Sequence, residues 1–323
     1  MISFRFHVVS ITAVFLAIAI GVVVGSTYID RVTVDQLRNR IDTVEHRADA
    51  TRDDNGRLED ELSTTRQYVD LSSEYAVSDR LVDVPALVVA ARGVDDSAIE
   101  RTVVLARRAG GQVPGIVWLE PRWAAESDDD LQALADAVGG SSTDSRDALW
   151  ATAWEKITDE LASPPPPDEP GGPAVTSAEP SVLTKLEDAG FLSLDSLDDS
   201  SVGLADLLGT SPRMLIVTGA RADEEVQPVI PVAADASVDA GLGTVVADVY
   251  VVAPEAPARA ATLVDSLEGS LRDSIVIVDD ADLEPGRVAA VLALDLVTDD
   301  GEVGRHYGYG DGADAVLPAW TPP

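Results

Sequence analysis

Residues 8–29 read VVSITAVFLAIAIGVVVGSTYI and carry no charge. As an α-helix this 22-residue stretch reaches about 33 Å, enough to cross a hydrocarbon core of about 30 Å. A cleaved signal peptide is the rival reading. The stretch is long for one, its cationic n-region is thin, and no A-x-A-like site precedes a mature start. The segment is therefore expected to remain as a single transmembrane anchor over residues 1–29. Arg5 and few other residues precede it, so the positive-inside rule places the N-terminus in the cytoplasm and the remainder outside. Arg31, Arg38 and Arg40 follow the span and pull the other way.

Two stripes extend from this anchor. Ala13, Ala17, Gly21 and Gly25 recur every fourth residue, so their small side chains share one helix face, where two backbones can approach closely in lipid. A passive stripe would look the same. From residue 30 to about 78 there is no proline, and apolar or small residues alternate at spacings of three and four. The expected a/d core is Val34, Leu37, Ile41, Val44, Asn55, Leu58, Leu62 and Val69, with Ala48, Thr51 and Thr65 as weak members. Asn55 at an a position favours a two-stranded, in-register pair. Residues 30–80 are thus expected to form a parallel coiled coil and a homodimer; the competing reading is a lone helix folded back on the domain.

The chain has 57 acidic and 23 basic residues, for a formal charge of −34. Such a chain repels phosphate backbones and anionic headgroups, which argues against nucleic acid as a partner. The acidity fits either a cation-binding surface or a salt-adapted proteome. Lys156 and Lys185 as the only lysines favour the latter. Without cysteine there is neither a disulfide nor a thiolate metal site.

After Pro85 the period changes. ALVVAA at 86–91 and IVWL at 116–119 read as buried parallel strands. Residues 95–109, 128–138 and 148–161 read as helices. The stiff stretch SPPPPDEPGGP, within residues 163–175, is a domain boundary or a long loop; its prolines also admit a polyproline ligand for a partner. Beyond it, 181–189, 256–271 and 285–297 read as helices, and 213–218, 245–253 and 274–278 as strands. The expectation is an α/β fold: a mainly parallel, Rossmann-like sheet with flanking helices, with 81–162 and 176–323 contributing to the same globular domain.

No Walker loop, G-x-S-x-G, H-E-x-x-H or G-x-G-x-x-G motif is present, so no enzymatic activity and no catalytic or cofactor-binding residue is expected. His7, His46 and His306 are too scattered for a multi-histidine site within one subunit. His306 reads as a loop residue before it reads as a catalyst. The glycine-rich tail from Tyr307 to Gly312 either lines a ligand or caps the sheet. Asp279, Asp280, Asp282 and Glu284 precede the last helix. They suit its positive dipole end and, alternatively, Ca²⁺ or Mg²⁺. Copper(I) prefers sulfur, and the methionines are Met1 and Met214. Composition alone implies no cofactor.

Two segments carry a family resemblance. The opening MISFRFHVVSITAVFLAIAIGVVVGS and the tail at 278–313 resemble the actinobacterial MctB family, named for mycobacterial copper transport. Within the tail the telling parts are Glu284, Pro285, Gly286 and Arg287, then His306, Tyr307 and Gly308. The resemblance implies a cell-envelope protein of copper transport or homeostasis, with copper as a ligand on that ground only and the metal-binding residues unknown. Some relatives, the SteB-like proteins, imply the alternative: a dimeric scaffold paired with a SteA-like membrane protein in cell separation and envelope integrity, without direct metal transport.

Overall fold

The proline-free stretch that begins with the apolar N-terminal segment produces one helix in the computed structural model, α1 (Phe4–Val77). Residues 4–141, 143–163, 180–197, 204–219, 222, 226–250, 267, 269–297, 303–310 and 312–319 are described, with backbone alone at 26–36 and 205. The chain divides into two units, Met1–Gln67 and Tyr68–Pro323.

In the first unit the window 4–25 is the membrane-length segment. Its mean hydropathy is 2.7 and none of it is buried in protein. Ala13, Ala17 and Gly21 lie on its exposed surface, and a Cβ on Gly21 or Gly25 would meet nothing. Further along α1, Leu37, Ile41, Val44, Asn55, Leu58 and Leu62 are exposed as well. The side chain of Val34 lies outside the described residues.

The second unit opens with the last turns of α1. Val69 is half-buried there, while Ser73 and Val77 are buried. Next come β1 (Ala86–Ala91), α2 (Asp96–Arg108), β2 (Ile116–Leu119), α3 (Asp128–Val138), α4 (Arg146–Ala162), α5 (Val182–Asp188) and β3 (Leu192–Asp195). The chain continues with β4 (Arg213–Gly219), α6 (Val229–Asp239), β5 (Thr244–Val249), α7 (Gly269–Arg272), β6 (Val276–Val278), α8 (Glu284–Leu296) and β7 (Arg305–Tyr307). The strands form one sheet in the order β3-β2-β1-β4-β5-β6-β7. All neighbours pair in parallel except β2 and β3. The expected mainly parallel sheet is therefore present, and strands from both sides of residues 164–179 share it.

Local chemistry explains the element boundaries. Asp95, Ser127, Ser145 and Ser181 each cap a helix by accepting a backbone N–H of its first turn. Strands β1, β2 and β5 are buried along their whole length, as an apolar run covered on both faces requires. α2 packs on α8, and α4 packs on α3, α5 and α6. Trp123, stacked 5.9 Å from Trp154, fills the space beneath α4.

Among the described residues, β3, α6 and β7 lie outside the elements expected from the sequence. β3 is a four-residue edge strand with no clear alternation. α6 contains Pro231, which sits in the first turn, where no N–H is needed. β7 is three residues long. Strand β6 starts two residues later than expected, because Ser274 still closes α7 through its N–H to Leu271. The Pro-rich residues 164–175, the strand end 251–253, most of the helix expected at 256–271, and Asp311 lie outside the described residues.

Candidate functional site

The carboxyl end of β6 and the edge strand β7 bring Asp279 and the His306–Gly308 half of the tail motif together. Asp279 follows β6 and is the hub. His306 Nε2 lies 2.9 Å from its Oδ2. Tyr309 N–H donates to its Oδ1 at 2.7 Å and Gly310 N–H to its Oδ2 at 2.8 Å. Asp280, with φ 58°, turns the chain and also accepts from Tyr309 N–H, at 3.0 Å. Asp314 accepts the backbone N–H of His306 and returns its own N–H to His306 O. The glycine-rich tail is thereby tied to the sheet edge, and His306 is only 4% exposed. Its Nδ1 is buried and has no hydrogen-bond partner among the described residues.

The other half of the motif begins α8. Arg287 is buried. Its Nε and Nη2 donate to Glu284 at 2.9 and 2.7 Å, and its Nη1 to the carbonyls of Asp282 and Ala281 at 2.7 and 3.3 Å. Pro285 occupies the first turn of the helix. At Gly286 a Cβ would lie 2.1 Å from the carbonyl oxygen of Asp280, so only glycine lets the helix start this close to the turn. Asp282 accepts the N–H of Tyr250. Each of the four carboxylates preceding or opening α8 therefore has a partner within the fold.

Burial pushes the Asp279 carboxyl up. The hydrogen bond from His306 and the N–H groups of Gly310 and Tyr309 outweigh it, and its pKa lies below the ordinary value. A depressed carboxylate stabilises the folded form fully above the ordinary value of about 3.9 and loses that contribution as pH falls through the lower, folded-state value. Acidification from the ordinary value down through the lower one is thus expected to loosen the tail progressively. Hydrogen exchange at the Tyr309 and Gly310 amides measures this. Protection that did not fall even where the carboxylate is protonated in the fold, about pH 2 and below, after correction for intrinsic exchange, would refute Asp279 as the hub.

A second polar cluster lies where β1 and β2 end. Arg92 Nε and Nη2 donate to Glu120 at 3.1 and 2.8 Å, Nη2 also reaches Ser193 at 3.1 Å, and the guanidinium lies 4.3 Å over the Trp118 ring. Ser193 Oγ donates to Glu120. Burial raises the Glu120 pKa, but Arg92 and Ser193 lower it further than that. Sequence reasoning missed this cluster. The usable signal was position: Arg92 and Glu120 are the residues just past two parallel strands, at the edge where α/β folds place polar groups.

Apart from His306 Nδ1, the polar side chains of both clusters are hydrogen-bonded within the fold, and the Glu120 carboxylate that accepts from Ser193 Oγ is held by Arg92 as well. Among the described residues no group of three or more His, Cys, Asp or Glu side chains is placed to hold a metal ion. His7 and His46 are exposed on α1.

The sequence matches the family model described as copper transport outer membrane protein, MctB, over residues 1–318. The proteins named copper transporter MctB of Mycobacterium bovis and Mycobacterium tuberculosis are each 29% identical over 325 residues, covering 98% of this chain and 99% of the relative. That of Mycobacterium leprae is 27% identical over the same coverage. With the apolar N-terminal helix, the sheet and the tail motif all inside the matched span, the chain belongs to the MctB family.

Proposed function

We propose that this chain is a single-pass envelope protein that serves copper handling as a dimeric, membrane-anchored platform, with its N-terminus in the cytoplasm and its α/β domain outside. The copper part comes from the name its relatives carry. The platform part is carried by one observation. The polar residues of the family motif are engaged within the fold: His306 bonds to Asp279, Glu284 to Arg287, and Asp279 and Arg287 also to backbone. They fasten the tail and α8 rather than present ligands.

Supporting this, the anchor is one apolar helix with a small-residue stripe, which lacks the polar lining a conducting path needs. Met214, one of two methionines, is buried in β4. The exposed apolar positions Leu37, Ile41, Val44, Leu58 and Leu62 suit a paired helix. The resemblance adds a SteA-like membrane protein as a candidate partner for the platform.

The test combines copper measurement with a pairing defect. Loss of the gene is expected to raise cellular copper, and the full chain to restore it. A chain carrying Ile41→Asp and Leu62→Asp is expected to be monomeric and to fail. Calorimetric titration of the purified full chain with copper(I) is expected to show no stoichiometric binding. Tight one-to-one binding would replace the platform with direct transport, and rescue by a monomeric variant would remove the dimer from the reading.

A further inference from the structure

We propose that the exposed face formed by the last turns of α1 and by α2 docks a second copy of this chain, which rests on the dimeric reading above and extends it to the α/β unit. Tyr68, Leu71 and Tyr75 follow one another at helical spacing and are 72%, 65% and 86% exposed. The opposite face of the same turns is buried through Ser73 and Val77, so Tyr68 and Tyr75 point away from their own domain while Leu71 edges it. Val104 on α2 is exposed beside it. Leu71, Val104 and Leu105 line a groove of about 350 Å³ between these helices and the start of α8. Two tyrosines and a leucine held on a fixed helix make a low-entropy contact surface.

Charge selects the occupant. A second copy of a chain with formal charge −34 is repelled almost everywhere. The groove between α4 and α6, about 330 Å³, shows why: Glu155, Asp159, Asp235 and Asp239 line it, and none is paired with a basic side chain among the described residues. The α1–α2 groove is balanced instead, with Asp70, Glu74 and Glu284 against Arg101, Arg108 and Arg287. Glu74 pairs with Arg108, and Glu284 with Arg287. Asp70 and Arg101 form no ion pair within 4 Å among the described residues. Arg101 donates to Ser97 of its own helix, at 3.0 and 3.2 Å, and its charge also acts on the capping carboxylate of Asp95. A two-fold axis satisfies both residues, because Asp70 of each copy then meets Arg101 of the partner subunit. One opposite-charge pair per half, flanking an aromatic stripe, gives a self-complementary surface.

The absence of native cysteine permits a clean cross-linking experiment on the full chain in detergent or nanodiscs. Ile41→Cys reports the helix pair, Tyr75→Cys reports the proposed face, and Asp235→Cys on the acidic face is the control. The expected result is covalent dimer from Ile41→Cys and Tyr75→Cys and none from Asp235→Cys. Dimer from Ile41→Cys without dimer from Tyr75→Cys would overturn the face and leave the dimeric reading standing; no dimer from either would remove both. Arg101→Asp and Asp70→Arg are each expected to weaken dimerisation about five- to tenfold, since each breaks two symmetry-related pairs and adds repulsion. The double swap is expected to restore it. Weakening that persists in the double swap would show that the two residues do not face each other.

Discussion

Gly308→Ala is expected to lower the stability of the α/β unit by roughly 3 kcal/mol, combining the cost of an unfavourable backbone region with that of overpacking. Gly308 has φ 131°, a conformation that L side chains rarely adopt. A Cβ there would sit 1.6 Å from Asp279 Oδ1 and 2.3 Å from its carboxyl carbon. A long side chain could swing aside. Asp279 is short and is held by His306, Tyr309 and Gly310. Relieving the clash therefore breaks the bonds that tie the tail to the sheet. For a unit of this size the loss corresponds to a fall of roughly 6–12 °C in thermal midpoint. Gly269→Ala is the control. Its Cβ would meet nothing within 4 Å, and in a helix the change is expected to be neutral or to stabilise by about 0.4–1 kcal/mol. An unchanged midpoint for Gly308→Ala would mean the tail is not fastened as described.

Elements defined by strong periodicity were legible in the sequence. The runs at 86–91 and 116–119 and the helix at 128–138 match β1, β2 and α3 residue for residue, because fully buried strands and a serine-capped amphipathic helix leave unambiguous patterns. Short edge elements were not legible: β3 and β7 take their structure from the neighbouring strand rather than from their own residues. The candidate site was legible as two motifs and not as one object. Nothing in the spacing of Asp279 and His306, 27 residues apart, says that parallel pairing of β6 with β7 sets them 2.9 Å apart. The Arg92–Glu120–Ser193 cluster spans 101 residues and depends on the one antiparallel pairing that the pattern did not reveal.

The same contrast makes Arg287 the sharpest test of what the EPGR segment does. Its guanidinium is 5% exposed, and its bonds go to Glu284 and to the carbonyls of Ala281 and Asp282. Arg287→Met keeps the length and apolar volume of the stem but removes every donor. Glu284 then retains a charge at 16% exposure with no cation beside it, and two carbonyls lose their partner. The expected loss is about 3–5 kcal/mol, as for one half of a buried ion pair. Arg287→Lys is expected to recover little, since a single ammonium cannot span a carboxylate and two carbonyls at once. Glu284→Gln combined with Arg287→Met is expected to be more stable than Arg287→Met alone, because it removes the stranded charge; the coupling should be about 0.5–3 kcal/mol. Denaturant unfolding of the parent, Glu284→Gln, Arg287→Met, the double variant and Arg287→Lys measures it. A ligand-presenting role for the motif predicts the opposite pattern: function lost in Arg287→Met with stability intact. A midpoint for Arg287→Met equal to that of the parent would therefore return EPGR from the fold to the chemistry and withdraw the platform reading with it.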